Sequence, residues 1–198
     1  MTKYVVNSGG LRGNPEKMAE FFTEVVDGLG DAPKVLMCFF AEPREDWVKS
    51  FESFKKYFES SLDENITPVF ELAFPDEFEQ QCKNADAIYI HGGDDYLLRY
   101  WMDKFNVSVI WKDRTIGTNS ASSSILATSY WTCDWRQCFD GFGVLPIKFI
   151  SHFNSEFGSD DPRGPIDWQV AKDELAEYGD KSLPIYALEE AEYVVFNV

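Results

Sequence analysis

Residues 114–127 read Arg-Thr-Ile-Gly-Thr-Asn-Ser-Ala-Ser-Ser-Ser-Ile-Leu-Ala, a short β-like run that ends in a cluster of small residues. Residues 122–127 could then open a buried helix. A serine at such a strand-to-helix corner is held up into solvent, and its neighbours must be small because backbone packs against backbone there. The stretch therefore predicts Ser120 as a candidate nucleophile.

The flanks of Ser120 leave an alternative open. The usual elbow reads Gly-x-Ser-x-Gly, whereas Thr118 and Ser122 occupy its two glycine positions here. Small polar residues are also favoured at helix N-caps. The same stretch is therefore typical of a helix start capped by Asn119 or Ser120.

Strand-like and helix-like segments alternate on both sides of this stretch. Apolar runs of strand length occupy residues 4–6, 35–40, 68–72, 87–90 and 144–150. Apolar residues at helical spacing occupy 18–29, 47–62, 97–105 and 168–178. This alternation predicts one domain over residues 1–198, with an α/β fold in which helices cover a mainly parallel sheet on both faces, giving three layers.

Three further segments carry expectations. Residues 184–188 and 193–196 should close the chain as a pair of strands around Glu189-Glu190-Ala191. Residues 107–111 are apolar, but their pattern favours neither a helix nor a strand. Residues 9–13 lack both the Gly-x-Gly-x-x-Gly and the Walker pattern, so we interpret them as a turn before a helix that Asn14 and Pro15 open.

The charge balance excludes two classes of partner. Lys and Arg number 18 against 34 Asp and Glu, which gives a net charge of −16. Such a surface repels phosphate backbones and anionic lipid headgroups, so neither nucleic acid nor a membrane is an expected partner. The 44% hydrophobic content is rich enough to exclude disorder.

Cysteine and histidine usage argues against a structural zinc site, and no cofactor is expected. The chain has two histidines and four cysteines, and no two cysteines form a Cys-x-x-Cys pair. Neither a basic-then-apolar leader nor an apolar run of membrane-spanning length is evident. Free thiols then favour a cytoplasmic location, because disulfides are rare in that reducing compartment.

Three predicted strands are followed directly by residues that are suited to catalysis. One runs into His91-Gly-Gly93, one into the Ser120 corner, and one into Ser151-His152-Phe153. Because the carboxyl ends of parallel strands share one edge of a sheet, we expect these groups to meet there. A serine, an imidazole and free backbone N–H groups are what acyl transfer needs.

At these residues the sequence resembles peptidase family S51, the dipeptidase E and cyanophycinase group. Members carry a strand ending Gly-Gly-Gly-Asn, a Gly-x-Ser-Ala-Gly-Ala elbow, a histidine in a Pro-His-Phe-like segment and a late Leu-Pro-Glu-Gly-like segment. The resemblance implies a fold like that of class I glutamine amidotransferases, which is flavodoxin-like. The matching stretches here, in the same order, read His91-Gly-Gly-Asp94, Thr118-Asn-Ser-Ala-Ser-Ser123, Ile150-Ser-His-Phe153 and Leu188-Glu-Glu-Ala191.

The resemblance implies roles for individual residues. Ser120 matches the nucleophile and His152 the general base, while the N–H groups of Gly93 and Ala121 match the oxyanion hole. Two acids are candidates for orienting the histidine: Glu190 matches the late glutamate of the family, and Asp134 matches an aspartate between elbow and histidine. We prefer Glu190, because a strand-end carboxylate can be held rigidly against an imidazole nitrogen.

The substrate pocket departs from the family pattern. Asp94 and Asp95 replace the family's Asn-Thr and put negative charge beside the expected pocket. Dipeptidase E selects an N-terminal aspartate with the help of an arginine beyond the histidine, and Arg163 is the nearest base to that position here. A substrate with a positive charge or a free amine is therefore the better expectation for this pocket.

The resemblance implies a serine peptidase or amidohydrolase of dipeptidase E type, acting on a small peptide or amide as a monomer or homodimer. The alternative is a catalytically inactive protein of the same fold that serves as a binding or interaction module, which the missing elbow glycines favour. A glutamine amidotransferase activity is disfavoured, because that chemistry uses a cysteine where Ser120 stands.

Overall fold

The structure is a computed structural model that describes residues 1–198. The strands are β1 (Lys3–Asn7), β2 (Lys34–Cys38), β3 (Val69–Leu72), β4 (Ala87–Ile90), β5 (Thr115–Asn119), β6 (Ala127–Thr132), β7 (Gln137–Asp140), β8 (Leu145–Ile150), β9 (Ile185–Ala187) and β10 (Tyr193–Asn197). The helices are α1 (Pro15–Val26), α2 (Trp47–Ser61), α3 (Phe78–Asn84), α4 (Asp95–Met102), α5 (Val107–Ile110), α6 (Ala121–Ser124) and α7 (Trp168–Glu177).

The main sheet has six strands in the order β10-β1-β5-β4-β2-β3, and every neighbouring pair is parallel except β10 and β1. Helices α1 and α2 pack together over this sheet, and α3 packs with α5 against β2. The interior strands β4 and β5 are buried along their whole length, which explains the apolar run at residues 87–90. The predicted α/β fold with a mainly parallel sheet is confirmed.

The chain forms a second sheet, which the sequence did not predict. Its order is β7-β6-β8-β9, with β6 parallel to β8 and β8 parallel to β9. The helix expected over residues 122–127 is a single turn, α6, and the chain then enters β6. β6 reads Ala-Thr-Ser-Tyr-Trp-Thr, and its aromatic and β-branched residues favour a strand over a longer helix.

The expected pairing of the last two strands is wrong. β9 pairs with β8 in the second sheet, whereas β10 pairs with β1 in the main sheet. Residues 188–192 cross between the two sheets, and the N–H of Ala191 donates to the Gly9 carbonyl at 2.7 Å. This crossing carries Glu190 to the carboxyl edge of β1, where Gly9 and Gly10 lie.

Local signals set the helix ends. Asn14 accepts a hydrogen bond from the N–H of Lys17, and Pro15 is the first residue of α1, as predicted. Residues 107–110, which the pattern left unassigned, form the short helix α5. None of the helices combines the length and the apolar character needed to cross a membrane.

Candidate active site

Ser120 stands at a sharp turn between β5 and α6. Its φ of 55° and ψ of −116° are strained values for a residue with a Cβ atom. The Ser120 N–H donates to the Asn7 carbonyl at 3.0 Å, and the Ser120 carbonyl accepts from the N–H groups of Ser123 and Ser124. The Ser120 hydroxyl makes no capping bond to α6, so its side chain is free for another partner.

Hydroxyl groups replace the glycines that flank the usual elbow. Ser122 Oγ donates to the Ile90 carbonyl at 2.6 Å and accepts from the Asn119 N–H at 2.8 Å. Thr118 Oγ1 lies 2.9 Å from Ser123 Oγ. These bonds bind the turn to the neighbouring strand and satisfy buried polar groups that glycines would leave to other partners.

The close packing of backbone against backbone at this turn still requires a glycine. That glycine is Gly92, which follows β4. A Cβ atom at Gly92 would fall 2.3 Å from the Asn119 carbonyl oxygen and 3.0 Å from Ser120 Cβ. Gly92 therefore leaves the space that the Asn119 carbonyl and the Ser120 side chain occupy at the elbow.

The serine hydroxyls of the elbow should contribute measurably to stability. In Ser122→Ala we expect the free energy of unfolding to fall by about 1–3 kcal/mol, because the buried Asn119 N–H loses its acceptor. Urea unfolding monitored by circular dichroism measures this loss. Ser124→Ala is the matched control, because Ser124 is also buried in α6 but its hydroxyl makes no hydrogen bond within the protein. Equal stability of the two variants would contradict the role given to Ser122.

His152 follows β8 and reaches the Ser120 side chain. Its Nε2 lies 2.8 Å from Ser120 Oγ, and its Nδ1 lies 2.8 Å from Glu190 Oε1. The ring is buried and stacks on Phe157 with a centroid distance of 4.3 Å. Both ring nitrogens are therefore engaged, and the plane of the imidazole is fixed by stacking.

The two candidate acids occupy different positions. The hydrogen bond from His152 lowers the pKa of Glu190, so this carboxylate stays ionised beside the imidazole. Asp134 lies in the wall of the cavity next to Ser120 and makes no hydrogen bond to His152. Burial, together with the nearby Asp95, raises the pKa of Asp134. Of the two acids, Glu190 is the one that the structure brings to the histidine.

Two backbone N–H groups beside Ser120 are unused. Gly93 and Ala121 line a small cavity of about 20 Å³ that also contains Ser120, and the N–H of neither residue donates within the protein. A Cβ atom at Gly93 would lie 2.6 Å from the Ala41 carbonyl oxygen, and its φ is +141°. Only glycine fits this position without strain.

The adjacent acids at the start of α4 have separate surroundings. Asp94 is exposed and caps α4, accepting from the Leu97 N–H at 2.8 Å. Asp95 is buried, accepts from the Tyr130 hydroxyl at 3.1 Å and lines the small cavity together with Asp134. The structure therefore brings Asp95 to the site, whereas Asp94 lies outside the lining of the cavities around Ser120.

The end of β1 holds the site together, and the sequence analysis missed it. The Asn7 carbonyl accepts from the Ser120 N–H and from Ser123 Oγ, while the Asn7 side chain donates to the carbonyls of Ala191 and Glu192. Asn7 therefore connects the elbow to the segment that carries Glu190.

Ser8 and Gly9 complete this support. Ser8 Oγ accepts from the His152 N–H and donates to the Leu188 carbonyl, both at 2.7 Å. A Cβ atom at Gly9 would lie 2.1 Å from His152 Cε1, so the Gly9 backbone packs directly against the imidazole. The available signal was Asn-Ser-Gly-Gly directly after a buried strand, at the edge where parallel strands end.

The larger cavity, of about 490 Å³, extends from Ser120 and His152 to a second group of side chains. Arg12, Glu42, Phe54 and His91 form this far wall, and the sequence analysis assigned none of them to the substrate pocket. Burial, with a smaller effect of Arg12, lowers the pKa of His91 to about 3, so this imidazole is neutral at physiological pH. No group of three or more His, Cys, Asp or Glu side chains could hold a metal ion.

Comparison with known proteins identifies structural relatives. No protein-family model matches this chain, and no curated protein does. A peptidase from an acI-B1 actinobacterium has a TM-score of 0.61 at 21% sequence identity, over 99% of this chain and 83% of that one. A candidate peptidase E from Listeria monocytogenes EGD-e has a TM-score of 0.63 at 15% identity, over 100% and 99% of the two chains. The chain therefore has an α/β fold similar to that of solved peptidase structures.

Proposed function

We propose that the protein is a serine peptidase or amidohydrolase of the S51, dipeptidase E-like type, acting on a small peptide or amide. The observation that carries this proposal is the continuous hydrogen-bonded chain from Ser120 Oγ through His152 to Glu190, with both bonds at 2.8 Å. A nucleophile within hydrogen-bond reach of a base, and a base oriented by a third group, is the arrangement of an activated serine.

In this mechanism Ser120 Oγ attacks the substrate carbonyl carbon and passes its proton to His152 Nε2. Glu190 accepts the Nδ1–H bond and stabilises the imidazolium that forms. The bond from carbon to the leaving nitrogen then breaks, and the amine takes the proton from Nε2. A water molecule repeats the sequence on the ester of Ser120, which releases the acid and restores the serine.

The unused N–H groups of Gly93 and Ala121 suit the oxyanion of this reaction. Negative charge develops on the carbonyl oxygen when the serine attacks, and fixed N–H donors stabilise it without reorganisation. Both residues border the small cavity beside Ser120. Asp95 and Asp134, which border the same cavity, would favour a substrate that presents a free amine or another positive charge there.

The geometry of the elbow favours an enzyme over the inactive alternative. A protein that only bound ligands would have no need to hold Ser120 at a φ of 55°. Here the strained serine, the paired imidazole and the free N–H groups occur together, and Gly92 leaves room for the Ser120 turn.

Covalent labelling tests the proposal. We expect a small fluorophosphonate to add once to the wild-type protein, and we expect Ser120→Ala to show no adduct, with intact mass as the measurement. Ser60→Ala, which changes an exposed serine of α2, is the control and should label normally. A screen of dipeptides and amides then defines the substrate. Folded wild-type protein that forms no adduct, or an adduct that survives Ser120→Ala, would contradict the proposal.

A further inference from the structure

Arg12 is a cation without a partner in a strongly acidic protein. The chain carries 34 acidic and 18 basic residues. Nevertheless, the guanidinium of Arg12 forms no ion pair within 4.0 Å and donates no hydrogen bond to the protein. It lies over the ring of Phe54, 4.8 Å from the centroid. All of its N–H donors are therefore available to a ligand.

Arg12 also lines the cavity that contains Ser120 and His152, and it is the only Lys or Arg in that lining. It belongs to a 3₁₀ turn, Leu11–Gly13, that directly follows Gly9 and Gly10. Gly9 packs on the His152 ring, and a Cβ atom at Gly10 would overlap Glu190 Oε2. The segment that carries Arg12 is thus fixed against the imidazole and its acid.

The groups near Arg12 do not neutralise it by contact. Glu42 accepts a hydrogen bond from Ser50 Oγ and lies 3.4 Å from His91 Nε2, and burial raises the pKa of this carboxyl group. The other arginine near the site, Arg163, is already paired with Asp161. An anion entering the cavity would therefore find free donors at Arg12.

Carboxylates also line the site. Asp95 and Asp134 border the small cavity beside Ser120 and Ala121. Asp134 borders the larger cavity as well, where Arg12 lies on the wall with Glu42, Phe54 and His91. Arg12 is therefore the one basic side chain that a substrate lying across Ser120 would meet among these carboxylates.

We propose that Arg12 binds a carboxylate of the substrate on the leaving-group side of the scissile bond. This inference rests on the proposed function, which places that bond over Ser120. The leaving nitrogen takes its proton from His152 Nε2, and Gly9 contacts that edge of the ring. The leaving group therefore lies beside the segment that carries Arg12. The preferred substrates are peptides whose free carboxylate follows the scissile bond within one residue.

The type of side chain matters as well as its charge. A guanidinium is planar, so it can stack on an aromatic face and bind both oxygens of a carboxylate. An ammonium group is less well suited to stacking and to binding both oxygens at once. Phe54 restricts Arg12 and should reduce the entropy lost on binding. Arg12→Lys should therefore restore only part of the binding that Arg12→Gln removes.

The test measures binding without turnover. In the Ser120→Ala protein, we compare the dissociation constants of alanylglycine and alanylglycinamide by calorimetry or NMR titration. We expect the acid to bind roughly tenfold more tightly than the amide. This preference should disappear when Arg12→Gln is added. Arg44→Gln is the matched control, because Arg44 is likewise unpaired and lies over Trp47, but outside the cavity.

The outcomes separate this inference from the proposed function. Equal binding of acid and amide, binding of neither, or a preference that survives Arg12→Gln overturns the role of Arg12. The same two peptides are then offered to protein with Ser120 intact. Preferential binding of the acid without hydrolysis supports the role of Arg12 and contradicts the proposed peptidase activity. Hydrolysis of both peptides with equal kcat/KM supports the peptidase activity and contradicts the role of Arg12.

Discussion

Glu190→Gln should lower kcat by roughly 10³- to 10⁴-fold, as loss of the orienting acid does in a serine triad. The glutamine has nearly the same shape but carries no charge, so it cannot stabilise the imidazolium of His152. It can also favour the tautomer with the proton on Nε2, which is unable to accept the proton of Ser120. Steady-state hydrolysis of a peptide substrate, or the rate of fluorophosphonate labelling, measures the loss.

Asp134→Asn is the control for this experiment, because it also removes one carboxylate beside the site. Asp134 makes no hydrogen bond to His152, so its removal should have a small effect on kcat and act mainly on KM for substrates with a free amine. If Asp134→Asn lost as much kcat as Glu190→Gln did, or more, the assignment of the orienting acid would be reversed.

Gly9→Ala should damage both stability and activity. Gly9 has a φ of +118°, and the added Cβ would lie 2.1 Å from His152 Cε1 and 2.6 Å from Nε2. The backbone strain costs about 1–3 kcal/mol. Displacement of the imidazole by about 1 Å should lower kcat by roughly 100-fold. Urea unfolding and peptide hydrolysis measure the two effects on the same protein.

The control variant Gly28→Ala separates the effect of backbone strain from the effect of a steric clash with His152. Gly28 also has a positive φ, +78°, but no atom lies within 4 Å of its added Cβ. This variant should lose stability through its backbone and keep full activity. An active Gly9→Ala protein would show that His152 can move aside, and the packing of Gly9 on the imidazole would then have no catalytic importance.

The sequence predicts much of this fold because buried strands appear in it as continuous apolar runs. The apolar runs at residues 35–40 and 87–90 correspond to β2 and β4, strands that have a neighbour on each side. No comparable pattern in the sequence indicates which strands pair with each other. Residues 184–188 and 193–196 are close in sequence, but they pair with β8 and β1, which belong to different sheets.

The candidate site divides in the same way. Ser120, His152 and Glu190 could be found as candidates because a serine and a histidine directly follow predicted strands, and the family resemblance supplies the order of serine, histidine and acid. Asn-Ser-Gly-Gly after a buried strand marks the place of Asn7 and Gly9 at this edge but not their roles, because they act through a carbonyl oxygen, a side-chain amide and an absent Cβ atom. Such roles depend on what lies opposite in space, which a single sequence does not record.

Asn7 also determines how the site can move. This residue ends β1, an interior strand of the main sheet, and its hydrogen bonds hold the Ser120 turn and the segment around Glu190 together. The elbow and the acid therefore belong to one cooperative unit with the sheet, and neither can open by a small local fluctuation. The amide protons of Ser120 and Ala191 should exchange with solvent only when the whole sheet unfolds. Heat should accordingly inactivate this protein and melt its main sheet in a single transition.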